Sequence, residues 1–192
     1  VLAAAAMLTG AVLTGILSYD RHAMLSALGV LFASAPAIAL LWLRSDQQYG
    51  LQAVLFLIGV VAATDTGAYF TGRFIGGPKL WPRVSPNKTW AGLIGGIVAA
   101  VCVGYATSLL VSGASTPRLA VICAALAVVA QAGDLGESAL KRAFDVKDAS
   151  ALIPGHGGFM DRVDGLVTAS AAAAILAALT APGSPARALL IG

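Results

Sequence analysis

The chain contains 192 residues, of which 58% are hydrophobic and only 11% are charged, and its mean hydropathy is +0.86. An ordinary soluble domain contains about 45–50% apolar and about 25% charged residues, so this composition argues against a soluble enzyme, a disordered chain and a nucleic-acid binder. The formal net charge of +3 suits attraction to anionic lipid. We therefore predict an all-α, polytopic integral membrane protein that has the lipid bilayer as a partner.

Six apolar segments follow one another along the chain. A bilayer-spanning helix needs about 20 mostly apolar residues, and the charge-free runs predict transmembrane helices at 1–18, 23–43, 51–70, 90–112, 118–142 and 163–181. The chain begins at Val1 inside an apolar run, without an initiator Met, so we expect further membrane helices before it in the natural protein. We predict one membrane-embedded domain, with supporting helices at 1–64, catalytic loops and helices at 65–164, and a final helix and tail at 165–192.

Lys and Arg residues are unevenly divided between the two sides of this predicted topology. With the 71–89 loop in the cytoplasm, the 143–162 loop lies there too, and that side holds nine Lys and Arg residues. The opposite side holds three, which are Arg44, Arg118 and Arg187. Because cytoplasmic loops carry an excess of Lys and Arg, we predict that the protein lies in the cytoplasmic (inner) membrane and that both polar loops face the cytoplasm.

The charged residues are concentrated in one stretch. Ten of the 21 charged side chains, including six of the nine acidic ones, lie between Asp134 and Asp164. Asp134, Glu137, Ser138 and Lys141 are spaced so that a helix places them on one face. Their acidic oxygens, facing Asp161 and Asp164 on another element, predict a site for a hard cation such as Mg²⁺. Interleaved bases stand at Lys141, Arg142, Lys147 and Arg162.

Carboxylates, a divalent cation and basic side chains are together typical of phosphoryl or nucleotidyl transfer, in which catalysis is mostly positioning and charge neutralisation. The Gly155-His156-Gly157-Gly158 turn has little side-chain bulk, so its backbone could approach a phosphate. An ordinary glycine-rich loop is the alternative interpretation of this turn.

The 138–164 run carries a motif whose fixed positions are Ser138, Lys141, Arg142, Lys147, Asp148, Ile153, Pro154, His156, Gly157, Gly158, Asp161, Arg162 and Asp164. It resembles the signature of the phosphatidate cytidylyltransferases, which are also called CDP-diacylglycerol synthases. The segment from Asp65 to Arg73 and the loop from Gly77 to Gly92 are similar to a second recurring segment of that family. The resemblance covers about residues 60–170 closely.

This resemblance implies the transfer of a cytidylyl group from CTP to phosphatidic acid, which gives CDP-diacylglycerol and pyrophosphate. It also implies Mg²⁺ as cofactor, with K⁺ beside it as a further candidate, and leaves a homodimer open. Asp134 and Asp161 are then the metal-binding acids, with Glu137, Asp65 and Asp164 as further metal candidates. The candidate catalytic residues are Asp134, Asp161, Lys141, Arg142, His156 and Arg162. The candidate substrate-binding residues are Ser85, Asn87, Lys88, Thr89, Ser138, Lys147, Asp148, Gly157 and Gly158.

Several of these residues have a purely structural alternative. Asp134 and Asp161 could form salt bridges with Lys141 or Arg162, and Glu137 could pair with Lys141 one helical turn away. Asp164 could cap or orient the helix that follows it, and the 85–89 segment could be a turn followed by a helix N-cap. Alternative functions are a CTP-dependent polyprenol or phytol kinase, a CDP-archaeol synthase and, more distantly, a cation-coupled transporter.

Overall fold

The fold is given by a computed structural model that describes residues 9–10, 12–13, 23–143 and 160–192. At 23–29, 31–33, 143 and 160–162 it describes the backbone alone. In chain order its elements are α1 (Ala23–Arg44), α2 (Gly50–Phe74), β1 (Lys79–Trp81), β2 (Ser85–Thr89), α3 (Trp90–Leu110), α4 (Thr116–Ala143), α5 (Met160–Thr180) and α6 (Pro185–Leu190). Most of the predicted helix 1–18 lies outside the described residues.

Long apolar helices dominate the structure, which confirms the predicted all-α membrane architecture. Among the described residues, four helical segments are long and apolar enough to cross a bilayer, namely Gly50–Phe74, Trp90–Leu110, Thr116–Arg142 and Val163–Thr180. The described residues therefore contain four of the six predicted spans. Helix α1 adds a shorter apolar segment, Ser34–Arg44. Helix α2 continues past the predicted end at residue 70, which brings Arg73 onto its last turn.

The helices pack as a sequential bundle. Helix α2 packs most extensively against α3, α3 against α4, and α4 against α5, while α1 packs against α5. Small residues allow the α2–α3 contact, because a Cβ atom at Gly95 would overlap the side chain of Thr71 and one at Gly67 would overlap Ala99. Small residues at these positions therefore permit the close approach of the two helices. Consecutive helices run in opposite directions, so α2, α3, α4 and α5 bring the 71–89 connection and the start of α5 to one end of the bundle.

The β-hairpin and the short helix α6 were not predicted from the sequence. Strands β1 and β2 form an antiparallel hairpin in which Lys79 pairs with Thr89 and Trp81 with Ser85. Gly76 and Gly77, with φ values of +67° and +94°, turn the chain from α2 into this hairpin, because glycine adopts positive φ without steric penalty. Helix α6 occupies part of the segment predicted as a tail, and its Ala186, Ala188, Leu189 and Leu190 are fully buried.

Candidate active site

A cavity of about 650 Å³ opens at the end of the bundle where α2 ends and α3 begins. Helices α2, α3 and α4 and the hairpin form its walls. The residues that line it are Asp65, Ala68, Tyr69, Gly72, Arg73, Lys79, Leu80, Asn87, Lys88, Thr89, Gly92, Leu93, Gln131 and Asp134. The helices bring two carboxylates and three basic side chains into one concave space, although they stand up to 69 positions apart in the sequence.

An ion pair crosses this cavity. Nζ of Lys88, on β2, lies 2.5 Å from Oδ2 of Asp134, on α4, and the two side chains are 23% and 36% exposed. Within the described residues, the buried Nζ has no hydrogen-bond acceptor apart from this carboxylate. A lysine ammonium can donate three hydrogen bonds, so donor capacity remains in the cavity.

The α2 wall contributes a carboxylate and a basic side chain. Asp65 lies within electrostatic range of both Asp134 and Lys88, so the three groups form a mixed-charge cluster. Two turns further along α2, Arg73 Nη1 donates a hydrogen bond to the phenolic oxygen of Tyr69 at 3.2 Å. Arg73 and Tyr69 both line the cavity.

The local fold fixes the base of the hairpin beside this cluster. The side-chain oxygen of Thr89 accepts the Gly92 N–H at 3.0 Å and caps the N-terminus of α3. Because Thr89 follows Lys88 directly, the cap also sets the direction from which the lysine enters the cavity. The 85–89 segment therefore contains the helix cap of the structural interpretation. Three of its residues also line the cavity, and their contact with a substrate stays a prediction.

A second group of charged side chains lies on the next turns of α4. Glu137 Oε1 is 3.5 Å from Lys141 Nζ, which confirms the structural alternative for this pair. Glu137 Oε2 is buried and has no hydrogen-bond partner among the described residues. Asp164, on the first turns of α5, is within electrostatic range of Glu137 and Asp134, and its Oδ1 accepts the Gly165 N–H at 2.6 Å.

The structure brings together many of the predicted site residues. Asp65, Asn87, Lys88, Thr89 and Asp134 line the cavity. Ser138 supports Asp134, because its hydroxyl donates to Asp134 Oδ1 at 3.5 Å. Ser85 and Arg142 do not line the cavity; Ser85 begins β2, and Arg142 is exposed near the end of α4. The backbone of Asp161 and Arg162 lies in the first turn of α5, and the predicted residues outside the described part are Lys147, Asp148, His156, Gly157 and Gly158.

Four lining residues with polar side chains are absent from the predicted site residues: Tyr69, Arg73, Lys79 and Gln131. Arg73 and Lys79 belong to the basic 71–89 segment, and their charge was the available signal. Gln131 lies three residues before Asp134 inside an apolar run. A polar residue in such a run is the signal that a search for charged residues misses.

The donor set suits a hard divalent cation in its chemistry. Carboxylate oxygens are the ligands that Mg²⁺ prefers, and the orphaned Glu137 Oε2 is a buried acceptor without a proton donor among the described residues. The carboxyl group of Asp164 interacts with Glu137, so these two acids could share a proton as well as a cation. No three His, Cys, Asp or Glu side chains form a ready metal-binding cluster in the part of the chain that the structure describes. The side chain of Asp161 lies outside that part.

Comparison with known proteins places these features in a family. The profile of the cytidylyltransferase family matches residues 1–180. A phosphatidate cytidylyltransferase of Brucella suis biovar 1 is 50% identical over 145 residues, which are 76% of this chain and 54% of the relative. Relatives of the same name in Bacillus subtilis and Haemophilus influenzae are 46% and 41% identical, over 64% and 65% of this chain and 46% and 45% of their own lengths.

The chain thus spans about half the length of the curated relatives that it matches. The family match covers nearly the whole chain, including the cavity-lining segments of α2, the hairpin, α3 and α4. This chain therefore belongs to the cytidylyltransferase family.

Proposed function

We propose that this chain is the catalytic part of a phosphatidate cytidylyltransferase. In the reaction, a phosphate oxygen of phosphatidic acid bonds to the α-phosphorus of CTP. The bond between that phosphorus and the oxygen leading to the β-phosphate breaks, and pyrophosphate leaves with the electron pair. The products are CDP-diacylglycerol and pyrophosphate. Family membership and the names of the relatives support this assignment.

The single observation that carries the proposal is the mixed-charge cavity at the end of a membrane helix bundle. Arg73, Lys79 and Lys88 line it together with Asp65 and Asp134. Basic side chains bind phosphate through charge-assisted hydrogen bonds, and carboxylates bind the cations that accompany phosphates. A site of this composition fits a nucleoside triphosphate and a lipid phosphate better than it fits an uncharged substrate.

The reaction needs no dedicated general base. A phosphomonoester has its second pKa near 6 and is mostly a dianion at neutral pH, so the nucleophile is already deprotonated. The residues of the chain then act by binding and by orientation: Lys88 and Arg73 hold phosphate oxygens, and Asp134 holds Lys88 in place until substrate enters. We retain as further proposed contacts Ser85, Asn87, Thr89, Ser138, Lys141, Arg142, Lys147, Asp148, His156, Gly157, Gly158, Asp161 and Arg162.

We propose Mg²⁺ as the cofactor, with Asp134 and Asp161 as its principal ligands and Asp65, Glu137 and Asp164 as the other candidates. When bound, the ion supplies neutralisation of the charge that develops on pyrophosphate. K⁺ is kept as a second proposed ion. The closeness of the Glu137 and Asp164 carboxyl groups supports a cation at this end of the bundle, since neighbouring carboxylates repel each other unless a cation or a proton lies between them.

We also propose that the cavity faces the cytoplasm at the inner membrane. The cavity end carries Arg73, Lys79, Arg83, Lys88, Lys141 and Arg142, whereas the other end carries Arg44, Arg118 and Arg187. The positive-inside rule supports this orientation. Impermeant maleimide should label an Arg83→Cys variant, made without the native cysteines, in inside-out but not in right-side-out vesicles. A homodimer and a single catalytic domain remain proposals.

The function is tested with the purified chain in detergent, supplied with Mg²⁺ and phosphatidic acid. One sample receives CTP labelled at the α-phosphate and a second receives CTP labelled at the γ-phosphate. We expect the α-label in the lipid product and the γ-label in released pyrophosphate.

Transfer of the γ-label to a lipid would overturn the proposal in favour of a CTP-dependent lipid kinase. Supplying a polyprenol or an archaeal ether lipid in place of phosphatidic acid tests the remaining family alternatives. A folded, monodisperse chain that transfers neither label to phosphatidic acid would also contradict the proposal.

A further inference from the structure

Gln131 differs from the other buried uncharged polar residues of the described structure, which are Thr64, Thr89 and Ser170. Each of those three hydroxyls bonds to a backbone group within four residues of itself. Gln131 is 7% exposed and instead reaches another helix, where its Nε2 donates to Leu93 O on α3 at 3.4 Å. A local backbone role therefore accounts for the three hydroxyls and leaves Gln131 unexplained.

The carboxamide of Gln131 is largely unsatisfied. It offers two N–H donors and an acceptor oxygen, yet the bond to Leu93 is its only hydrogen bond in the part of the chain that the structure describes. In the described part of the chain, the fully buried side-chain atoms without a partner are Lys88 Nζ and Glu137 Oε2. Gln131 Oε1 is not one of them, so it is accessible from the cavity. Gln131 lines the cavity one helical turn before Asp134, so the missing partner has a place to bind.

The surrounding helix is shaped to hold this side chain. A Cβ atom at position 96 would come within 3.0 Å of Gln131 Nε2 and within 2.8 Å of Thr64 O. Gly96, which is buried on α3, thus leaves the space that the carboxamide occupies. The side chain is built into the α3–α4 contact.

The contact with Leu93 also decides which end of the amide faces the cavity. A carbonyl oxygen only accepts hydrogen bonds, so the amide atom beside Leu93 O must be the nitrogen donor. The oxygen Oε1 is then the end that is turned toward the cavity. Gln131, which we take as the floor of the cavity, consequently presents a hydrogen-bond acceptor to it. An acceptor favours a ligand group that donates a hydrogen bond.

The proposed substrates differ in this respect. The ester and ionised phosphate groups of phosphatidic acid are acceptors, whereas the nucleoside of CTP carries an exocyclic amine and ribose hydroxyls that donate. Resting on the proposed function, we infer that Gln131 Oε1 accepts a hydrogen bond from the nucleoside of CTP at the cavity floor. Gln131 is then a residue that determines nucleotide specificity, and the lipid approaches from another side of the cavity.

A fixed acceptor discriminates between nucleotides. If it bonds the cytosine amine, UTP is rejected, because uracil has a carbonyl oxygen at the same position and two acceptors then face each other. If it bonds the ribose 2′-hydroxyl, dCTP is disfavoured instead. Sites that hydrogen-bond a substrate group reject analogues that lack it because the buried polar group is left unpaired.

The experiment measures displacement of labelled CTP from the purified chain by CTP, UTP and dCTP, in detergent. The variants are Gln131→Leu, which removes the acceptor, and Gln131→Glu, which keeps one. Gln52→Leu is the control, because Gln52 is exposed at the start of α2, far from the cavity. Circular dichroism and gel filtration establish that each variant is folded.

We expect wild type and Gln52→Leu to prefer CTP over UTP or over dCTP by at least about tenfold, which is 1.4 kcal/mol. Gln131→Leu should reduce that ratio to near one. Gln131→Glu keeps an acceptor but loses the donor to Leu93 O, so it should lower the ratio less than Gln131→Leu does and should bind CTP more weakly overall. Loss of the UTP ratio assigns the amine, and loss of the dCTP ratio assigns the 2′-hydroxyl. Equal ratios in wild type and Gln131→Leu, or a wild type without either preference, would overturn the inference.

The two proposals can fail separately. A wild-type chain that transfers the α-label from CTP to phosphatidic acid while Gln131→Leu keeps the wild-type ratios refutes only the role of Gln131. A wild-type chain that neither binds CTP nor transfers the label refutes the proposed function.

Discussion

The two ends of the helix bundle use their charged residues in different ways. At the end away from the cavity, Asp46 accepts hydrogen bonds from the backbone N–H groups of Gln48, Tyr49 and Arg187. Arg118 there donates to Ala188 O at 2.5 Å and to Leu189 O at 3.4 Å. At the cavity end, Lys88 Nζ and Glu137 Oε2 are buried with unused hydrogen-bonding capacity among the described residues.

This contrast separates charges that hold the fold from charges that are available to a ligand. Asp46 and Arg118 secure the two ends of α6, since one binds its first N–H groups and the other its last carbonyls. Those backbone groups have no partner within the helix itself. Substitutions at the end away from the cavity, which we call the closed end, should therefore lower stability. Substitutions at the cavity end should lower activity.

The largest expected effect is on activity at the cavity end. Asp134→Asn keeps the size of the side chain but removes its charge, and we expect turnover of CTP to fall at least about 10²–10³-fold, the range for loss of one preorganised electrostatic contact. The thermal midpoint should change little. Labelled-lipid formation measures turnover, and Asp46→Asn is the matched control that should retain it. Comparable activity in Asp134→Asn and Asp46→Asn would contradict the assignment of activity to the charges of the cavity end.

A second prediction concerns the Lys88–Asp134 ion pair. Lys88→Met should weaken binding of CTP by at least about tenfold, or 1.4 kcal/mol, because a phosphate-binding cation is lost. Adding Lys88→Met to Asp134→Asn should reduce activity less than it does in the wild type, since residues in one charge network are coupled. Arg83→Met, an exposed change in the same connection, serves as control. Full additivity in the double-mutant cycle would show that the pair does not act as a unit.

The sequence allowed the helices to be predicted because apolar runs of bilayer length have few alternative structures. It did not predict the hairpin, whose β2 strand, Ser85–Thr89, contains a proline and lacks an alternating apolar pattern. Nor did it predict α6, whose six residues are too few to form an independent helix. Both elements depend on tertiary contacts: α6 is held by Asp46 and Arg118, and β2 leads into the Thr89 cap of α3.

For the candidate site, the motif residues could be identified but their partners could not. The structural alternative for Asp134 is a salt bridge with Lys141 or Arg162, yet the structure pairs it with Lys88, 46 positions earlier. That contact follows from the packing of α3 against α4, which a linear pattern does not contain. Gln131 was not predicted as a site residue because it is uncharged. Its proposed role depends on contacts with Gly96 and Leu93 of the neighbouring helix, which the sequence does not show.

At the closed end, the third prediction concerns stability. Arg118→Leu leaves the carbonyls of Ala188 and Leu189 without their guanidinium donor, and we expect a loss of about 1–3 kcal/mol of unfolding free energy. Turnover per folded molecule should be unchanged. Thermal unfolding in detergent measures the loss. The control is Arg187→Leu, because Arg187 is exposed on α6 and its substitution should have little effect. A drop in turnover without a change in stability would contradict the comparison.

The smallest expected effect depends on pH and concerns Asp46. Partial burial acts to raise the pKa of this carboxyl, but hydrogen bonds from the Tyr49, Gln48 and Arg187 amides outweigh it and hold the pKa below its ordinary value of 3.8. A lowered folded-state pKa means that the carboxylate stabilises the fold above the unfolded-state pKa and that this contribution disappears as the pH falls through the folded-state pKa.

Asp46→Asn keeps an oxygen acceptor and loses the charge, so it should lower the thermal midpoint slightly at pH 7. The difference from wild type should shrink as the pH is reduced below 3.8, because wild type then loses the same charge. Because Asp46 is largely exposed and screened by solvent, the effect should be smaller than that of Arg118→Leu. A difference that is independent of pH between 7 and 3 would mean that the oxygen acceptor, rather than the carboxylate charge, holds α6 at this end.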